Sequence, residues 1–559
     1  MIVLMWAPFN ALSGLPSETV FTYLSETSSA LQGFLYPFDP LRIHTTTFYH
    51  LSYLLARAVG MDGSYVPFQV VYASLWWARG FLVFLLVREW IPEDPFVPYV
   101  CGSLVVVHSA DRATQWVGQL NQFGFIFWML LACYGLVRAV NATAWRRMIP
   151  LTTMACFCEY MSLWSYESQI FLLLAFPCLA VVRRVRSWRR AAFGLVAWYS
   201  ILLVYLWFSV DRYVAGGGYQ ETVIRKTWAL NVFLSDWLFN ILASIEFWTW
   251  STGEWRISQF VAVSLATVTV GVFVLGGAIL ARFTRRDEVS CTDVIGTRTW
   301  SMLLLVGFAA LALSFPAYLL LDSARSLWRT QFLSGIGSSL VLTGVIGLVA
   351  TRVTHKTSAM TTLALAAVIV MCGSLAAIQI GGYQRFLWER HRASIVRILR
   401  AAPSVTPDTV VILINVQRDS DPFGHNMWLD LAVRLAYPGI PVTAGYYYKD
   451  GSPGPGHNLK IEDGRWKWDG TNYPPLVRDT TTANTIVVDD DVAAESPLVK
   501  SLPAVLCPAT CAVQPYDPEK VITGPISPRA RRRYQISCRS LPKRTAMIGA
   551  LVLAAPSPQ

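Results

Sequence analysis

The chain has 559 residues and a net charge of +11, but only 14% of its residues are charged, while 54% are hydrophobic and 22 are tryptophan. A soluble globular chain averages about 25% charged residues, and a soluble core cannot hide this much apolar surface without leaving large exposed patches. The composition excludes a soluble protein. It also excludes a disordered one, because disordered chains are poor in apolar and aromatic residues.

Apolar stretches close to the length that spans a bilayer, about 20 residues, follow one another up to residue 382. The predicted spans are 66–88, 96–110, 119–137, 148–164, 168–182, 191–210, 259–281, 300–321, 330–350 and 361–382. Residues 1–13 predict a further span that is short, at about 20 Å of helix, so either its neighbours bury it or the helix begins upstream. The stretch 228–250 contains Asp236, Asn240 and Glu246, which favours an interfacial helix.

Basic residues predict the orientation of these spans. The densest basic run is Arg183, Arg184, Arg186, Arg189 and Arg190, so this loop is predicted to be cytoplasmic. The alternate loops 88–95, 138–147, 282–299 and 351–360 then also face the cytoplasm, and each of them carries basic residues. The basic residues agree with this orientation only if the stretch 228–250 does not cross the membrane. The sequence therefore predicts an α-helical polytopic membrane protein with about 11 transmembrane helices and an extracytoplasmic C-terminus.

The positive charge has the same explanation. No aromatic–basic recognition motif accompanies it, so we interpret it as arginines in cytoplasmic loops and at lipid headgroups. We predict membrane lipids, and no nucleic acid, as partners.

The character of the chain changes near residue 383. Residues 386–401 predict a basic amphipathic helix along the headgroups. Thr409–Asn415 and 440–448 predict strands on either side of a helix at 426–437, and the Asp-Gly pairs at 463 and 469 predict a hairpin. Trp466 and Trp468 could stack on sugar rings, although cross-strand packing is the commoner role. The predicted domains are a transmembrane domain (1–382), a juxtamembrane helix (383–401) and an extracytoplasmic soluble α/β domain (402–559).

Cysteine spacing identifies no metal site. Most of the ten cysteines lie in or beside the spans and fit small apolar core residues, and Cys156 and Cys158 lack the second pair that a zinc site needs. Cys507, Cys511 and Cys538 lie in the tail that is predicted to be outside, where disulfides can form. A bridge between Cys507 and Cys511 is one alternative, and any pairing leaves one thiol over.

Ionisable residues gather on the predicted outer side of the membrane. They are Glu18, Glu26, Asp39 and Arg42 in a long first loop (about 14–65), Asp111 and Arg112 in the second outer loop, Glu167 in the turn between two spans, and Asp322, Arg325 and Arg329 before the span at 330–350. Such groups cost about 2.5–3.5 kcal/mol at membrane depth, so they usually mark a site. For any single residue, a headgroup-level anchor is an equally good explanation. As a group they suit a lipid-linked phosphate, because arginine matches phosphate oxygens and a carboxylate can act as general base.

Several short motifs resemble those of the GT-C superfamily of membrane glycosyltransferases, especially its protein O-mannosyltransferase-like branch. The segment from Arg329 to Gly337 (RTQFLSGIG) is similar to that branch's Arg-Tyr-Leu-Tyr-Leu-Pro-Ser-Ile-Gly segment, and Tyr166-Glu167-Ser168 resembles its Lys-Glu-Ser motif. Arg42 followed by 48–52 resembles its Arg-Pro-Leu segment, and in its His-Pro…Glu…Trp stretch only Trp116 matches securely. The resemblance covers roughly residues 1–400.

This resemblance implies a hexosyltransferase of the bacterial inner or plasma membrane that contributes to the cell envelope. The donor would be a polyprenyl-phosphate sugar and the acceptor an extracytoplasmic protein, lipid or glycan, with inverting displacement. The family carries its catalytic acid in the first outer loop, usually in an Asp-Asp or Asp-Glu pair. Here Ser17 replaces the first acid, so Glu18 takes the role and Asp39 is the fallback. This departure leaves either a Glu-based active site or a degenerate, inactive one.

The resemblance also implies roles for the remaining residues. Arg329, Arg325 and Arg42 would bind the lipid phosphate, while Glu167, Asp111 and Arg112 would orient groups in the cavity. The alternative for Glu167 is a structural hydrogen bond that closes a helical hairpin. Members are often metal-dependent, but no cofactor or metal ligand can be identified in the sequence.

The alternative function is a non-catalytic transporter or assembly factor for envelope polysaccharide. A transporter is expected to show internal repeats with interrupted helices at mid-membrane, and the sequence shows no such symmetry.

Overall fold

The computed structural model describes residues 1–10, 32–36, 39–61, 64–92, 96–108, 116–181, 187–215, 229–246, 248, 255–286, 297–320, 331–353, 358–456, 458–469, 479–491, 498–499 and 526–535. The chain forms two compact units. The first unit is centred on Phe68–Gln384 and includes Met1–Ala11 and Ala30–Leu51. The second is centred on Arg385–Gln559 and includes Ser52–Pro67.

Helices occupy every stretch that was predicted to span the membrane. In chain order the helices up to residue 401 are α1 (Ile2–Asn10), α2 (Thr47–Ala58), α3 (Val66–Trp90), α4 (Phe96–Val107), α5 (Leu120–Val140), α6 (Trp145–Leu163), α7 (Ile170–Val181), α8 (Trp188–Ala215), α9 (Leu230–Glu246), α10 (Gln259–Arg286), α11 (Thr297–Leu313), α12 (Pro316–Leu319), α13 (Gln331–Val353) and α14 (Ser358–Ala401). The predicted span 300–321 is divided between α11 and α12, because the helix is interrupted just before Pro316.

Seven helices within the described residues are long and apolar enough to cross a membrane. They are Val66–Trp90, Val117–Val140, Trp188–Arg212, Gln259–Leu280, Thr297–Leu319, Gln331–Arg352 and Met360–Ala401. Shorter apolar helices include α4 and α7, which have 12 residues each and therefore measure about 18 Å. The prediction of an α-helical polytopic membrane protein is confirmed. The number of eleven spans and their orientation stay predictions.

Helix burial separates the interior of the first unit from its lipid-facing side. In the apolar windows of Val117–Val140 and Gln331–Arg352, 72% of the residues are buried, against 22% for Gln259–Leu280. Glycines allow α11 and α13 to approach closely, since a Cβ at Gly307 would lie 2.6 Å from the backbone nitrogen of Val341 and one at Gly337 would lie 2.4 Å from that of Leu311. Small residues at helix crossings are typical of membrane bundles.

The last apolar helix differs from the expectation. Residues 386–401 do not form a separate helix, because α14 runs without interruption for 44 residues from Ser358 to Ala401. The final turns of α14 pack within the second unit rather than leaving an apolar face for headgroups. Ser394 donates a hydrogen bond to the Asp490 carboxylate at 2.6 Å, and Arg397 donates to the same oxygen at 2.7 Å. Trp388, Ile395 and Ile398 are buried.

The second unit contains the predicted α/β fold. Its elements are β1 (Thr409–Val416), α15 (Asn426–Ala436), β2 (Val442–Tyr448), β3 (Asn458–Glu462), β4 (Arg465–Asp469), β5 (Asp479–Thr481), β6 (Thr485–Asp489), β7 (Leu498–Val499) and α16 (Pro528–Tyr534). One sheet has the order β2-β1-β6-β7, with β1 parallel to both β2 and β6 and with β7 antiparallel to β6. Helix α15 provides the crossover that parallel neighbours require.

The predicted hairpin is present, and one of its tryptophans belongs to the core. Strands β3 and β4 are antiparallel and joined at Asp463 and Gly464, whose φ values of 52° and 71° suit the tight turn of an Asp-Gly pair. Trp466 is 1% exposed within the core, and its Nε1 donates to Thr485 Oγ1 at 2.7 Å. Trp466 therefore packs the core and is not available to stack on a sugar. The second pair, Asp469-Gly470, and the terminal cysteines lie at or beyond the limits of the described residues.

Candidate functional site

The described part of the first loop is held by a short helical turn. Asp39 caps the 3-10 turn Pro40–Arg42, and its carboxylate accepts a hydrogen bond from the Leu41 amide at 3.0 Å. Aspartate is among the preferred residues at such a position, because its oxygen satisfies an otherwise unpaired amide. This cap directs the Arg42 side chain toward the turn between α6 and α7.

Arg42 and Glu167 form a two-point ion pair. Arg42 Nε donates to Glu167 Oε2 at 3.0 Å, and Nη2 donates to the other carboxylate oxygen. The guanidinium also lies over the ring of Tyr166, 4.6 Å from its centre. Burial acts to lower the pKa of Arg42, but the Glu167 carboxylate, together with Tyr166 and Asp39, raises it above its ordinary value. The geometry matches the planar fork of arginine to a carboxylate, the strongest common form of this interaction.

Further hydrogen bonds hold the first loop against the end of α6. The His44 amide donates to the carbonyl of Trp164 at 3.0 Å, and Thr45 Oγ1 donates to the carbonyl of Ser165 at 2.8 Å. The His44 ring shares a hydrogen bond with the Tyr160 hydroxyl at 3.0 Å, and burial lowers the pKa of His44. The first loop is thus docked onto the end of α6 by several independent contacts.

The turn that carries Glu167 is closed by other residues. Gln169 Nε2 donates to Ser162 Oγ at 2.8 Å and to the carbonyl of Tyr166 at 2.7 Å. Ser162 in turn donates to the carbonyl of Phe125 at 2.9 Å. Because Gln169 and Ser162 close the hairpin, the Glu167 carboxylate is left to pair with Arg42, and the alternative role of Glu167 as the hairpin's own hydrogen bond does not describe this geometry.

Three of the predicted site residues come together in the structure. They are Asp39, Arg42 and Glu167. The other predicted site residues, Glu18, Asp111, Arg112, Arg325 and Arg329, lie outside the described residues. Two donors of Arg42 are occupied by Glu167, so only Nη1 is without a hydrogen-bond partner among the described residues. This arrangement favours a positioning role for Arg42.

Arg79 is a candidate that the sequence analysis missed. It is fully buried in the middle of α3, and its Nη2 donates to the carbonyl of Val105 at 2.6 Å and to that of His108 at 3.4 Å. Its Nη1 donates to the carbonyl of Phe332 at 3.5 Å. The carboxyl end of a helix carries partial negative charge, which favours a cation there. An arginine in the middle of the apolar stretch 66–88, far from the second arginine at its end, was the signal in the sequence.

The carbonyls that Arg79 binds flank two of the predicted site segments. Val105 and His108 lie just before Asp111 and Arg112, and Phe332 lies within the motif that begins at Arg329. Arg79 therefore joins the ends of two segments from which predicted site residues extend. Among the described residues, no group of three or more His, Cys, Asp or Glu could hold a metal ion.

No protein-family model matches the chain, and no curated protein matches it. The crystal structure of ArnT from Cupriavidus metallidurans in the apo state is similar at 12% identity and a TM-score of 0.35, covering 75% of this chain and 82% of that one. The crystal structure of the same protein bound to undecaprenyl phosphate is similar at 14% identity and a TM-score of 0.37, covering 80% and 91%. At these TM-scores, the functional assignment has to come from the residues of the chain itself.

Proposed function

We propose that this chain is a membrane glycosyltransferase of the GT-C type that transfers a hexose from a polyprenyl-phosphate donor to an extracytoplasmic protein, lipid or glycan. The observation that carries the proposal is the ion pair between Arg42 and Glu167. It joins the loop that contains the candidate catalytic acid to the turn that resembles the superfamily's Lys-Glu-Ser motif. A motif residue that anchors the loop with the candidate catalytic acid has a clear task in such an enzyme, because catalytic groups must be held in place.

In the proposed reaction Glu18 acts as general base. It takes the proton from an acceptor hydroxyl as the hydroxyl oxygen attacks the anomeric carbon, and the bond between that carbon and the phosphate oxygen breaks. The polyprenyl phosphate leaves with the bonding electron pair, and the configuration at the anomeric carbon inverts. Arg329, with Arg325, stabilises the negative charge on the leaving phosphate. Asp39 is the fallback base, although its carboxylate already caps the turn before Arg42.

The remaining residues position these groups. Glu167 holds Arg42 through Nε and Nη2, so Nη1 is the donor that remains for a phosphate in the proposed complex. Arg79 holds the segments that lead to Asp111 and Arg112 and to Arg329. Removing such a support can displace reacting groups, and a displacement of about 1 Å can cost about 10²-fold in rate.

Contacts within the second unit support the proposed sidedness. Arg533 lies over the ring of Tyr65 at 4.0 Å, and Tyr65 contacts Trp388 with ring centres 5.3 Å apart. Arg533 is 7% exposed, so it is part of this packing and not of a solvated surface. Because Tyr65 belongs to the first loop, this packing favours one side of the membrane for the loop and the C-terminal domain. An even number of crossings between them, such as the ten predicted, meets that condition. We propose that this side is extracytoplasmic in a bacterial inner membrane.

The decisive experiment assays sugar release from a polyprenyl-phosphate donor by the purified full-length protein in lipid nanodiscs. Undecaprenyl phosphate, which is bound in one ArnT structure, is the carrier to try first. Glu18→Gln should lower turnover by about 10²–10⁴-fold, the range expected for a general base. Glu26→Gln in the same loop is the matched control and should keep its activity. Full activity of Glu18→Gln would remove Glu18 from the mechanism, and Asp39→Asn would then test the fallback.

The second candidate is a non-catalytic protein that binds the lipid-linked sugar for transport or assembly of envelope polysaccharide. Ser17 favours it, because it replaces the first acid of the usual pair. Saturable binding of the donor with no release of sugar by the wild-type protein would select this candidate over the enzyme.

A further inference from the structure

A groove runs between α6 and α8 on the outside of the first unit. Its volume is about 390 Å³, and its lining includes Ile149, Thr152, Phe157, Tyr160, Phe193 and Ala197. Ligand sites commonly have volumes of about 300–1,000 Å³. Helix α8 is among the least buried of the candidate spans, with 28% of its apolar window buried. The groove therefore opens toward the bilayer, and its apolar lining suits a hydrocarbon chain.

The length of the groove matches one leaflet. Its lining follows α6 from Ile149 to Tyr160, which is about 16 Å at the rise of an α-helix. The hydrocarbon core of a bilayer is about 30 Å thick, so one leaflet contributes about 15 Å. One acyl chain of a lipid can lie along the whole groove.

Basic and aromatic residues occupy the first turns of the two helices that form this groove. Arg146 and Arg147 begin α6, Arg189 and Arg190 begin α8, and neither helix has an acidic residue in its first turn. Arg190 Nη1 donates to the carbonyl of Thr143 at 2.6 Å, which ties the two helix starts together. The Nε of Arg190 is buried and has no partner among the described residues. This end of the groove therefore carries positive charge that attracts an anion.

Two tryptophans place this end at the membrane interface. Trp145 and Trp188 are 47% and 68% exposed, and tryptophan is enriched at headgroup level. The Trp145 ring contacts Phe193 edge to face, with ring centres 5.8 Å apart, so the aromatic end is continuous with the groove lining. Thr152 Oγ1 is buried without a partner among the described residues, and it can donate to an ester carbonyl below a headgroup.

We propose that the α6–α8 groove binds an anionic glycerophospholipid of the surrounding leaflet. One acyl chain lies in the groove and the phosphate lies between Arg146 and Arg190. Basic pockets between membrane helices recognise anionic headgroups in this way. Helix starts add to the attraction, because the amino ends of α6 and α8 carry partial positive charge. The headgroup end of the groove lies at the opposite end of α6 from the turn that carries Glu167, whereas the far end of the groove reaches Tyr160, which shares a hydrogen bond with His44. The proposed phosphate position is therefore separate from the proposed donor site.

The test measures lipid binding to the full-length protein in neutral detergent by native mass spectrometry. Phosphatidylglycerol should bind at least tenfold more tightly than phosphatidylcholine with the same acyl chains. The double variant Arg146→Gln/Arg190→Gln should weaken phosphatidylglycerol binding by roughly tenfold to thirtyfold, as expected for two arginines at an anionic surface. Arg212→Gln, which removes a charge from the other end of α8, should change it less than twofold.

A second pair of variants tests the groove itself. Ala197→Trp fills the groove and should abolish binding, whereas Val196→Trp places the same side chain on the lipid-exposed face beside it and should have no effect. Equal binding of phosphatidylcholine, equal effects of Ala197→Trp and Val196→Trp, or equal affinity for glycerol phosphate without acyl chains would each overturn the proposal. Preference for undecaprenyl phosphate over phosphatidylglycerol would also overturn it, since the groove would then belong to the donor.

Discussion

Replacing Glu167 with glutamine removes the charge that holds Arg42 and keeps the shape of the side chain. The Arg42 and Glu167 side chains are 19% and 31% exposed, so the pair lies between a surface and a buried salt bridge. Surface pairs contribute about 0–1 kcal/mol, while breaking a buried pair costs about 3–5 kcal/mol. We expect Glu167→Gln to weaken docking of the first loop by about 2 kcal/mol, which is roughly a 30-fold change in the docking equilibrium.

Amide hydrogen exchange measures this docking directly. The His44 amide donates to the carbonyl of Trp164 only when the loop is docked, so its exchange rate reports the opening equilibrium. Exchange at His44 should be about 30-fold faster in Glu167→Gln. Combining Glu167→Gln with Arg42→Gln should add little further, because both changes remove the same interaction.

The matched control is Glu89→Gln, which breaks an ion pair between Glu89 and Arg138 at 2.9 Å elsewhere in the first unit. It should leave the exchange of His44 unchanged. Exchange in Glu167→Gln within twofold of wild type, or equal acceleration by Glu89→Gln, would show that the ion pair does not hold the loop. In the transfer assay, Glu167→Gln should lower kcat more than it raises KM, because the base is displaced while the donor still binds.

Three further predictions concern His44, Arg79 and Asp430. Because burial lowers the pKa of His44, its imidazole binds a proton more readily when the loop is undocked than when it is docked. Docking of the first loop should therefore be strongest above about pH 6.5 and weaken as the pH falls below it. His44→Gln should remove this pH dependence of amide exchange in the loop. Arg79→Ala removes the donor that the buried carbonyls of Val105 and His108 share, and it should lower stability by about 3–5 kcal/mol. Arg88→Ala on the exposed face of α3 should change stability by less than about 0.5 kcal/mol. Similar melting temperatures for the two variants would contradict this assignment. In the second unit, the buried side chains of Asp430 and Arg434 form an ion pair at 2.6 Å. Asp430→Ala leaves Arg434 buried without this partner, and thermal unfolding should show a loss of stability of about 3–5 kcal/mol. The loss should be smaller for Asp430→Asn, because asparagine still accepts a hydrogen bond from the Ala444 amide.

The first loop shows how the structure modifies the roles that the sequence predicts. The sequence motifs indicate which residue types belong to a lipid-phosphate site, but in the structure some of these residues pair with each other. Arg42 had been predicted to bind phosphate, and in the structure it is first of all the partner of Glu167. The phosphate contacts of the proposal consequently depend most on Arg329 and Arg325.

Local sequence patterns determined much of the architecture. Runs of apolar residues located the membrane helices, since burial of the backbone in lipid permits little else but a helix. Alternating and continuous apolar residues located β1 and β2, and the Asp463-Gly464 pair located the hairpin turn, because few residues adopt the positive φ that it needs. Each of these features depends on neighbours within a few positions of the chain.

Only the tertiary structure decided which side chains meet. Glu167 lies 125 positions from Arg42, and Arg79 lies 253 positions from Phe332, and no local pattern in one sequence specifies such distant partners. The same limit explains why 386–401 was predicted to lie on headgroups: its apolar face was visible in the sequence, but the partner that covers it was not. Pairing across the fold depends on how the helices pack, and that packing is a property of the whole chain.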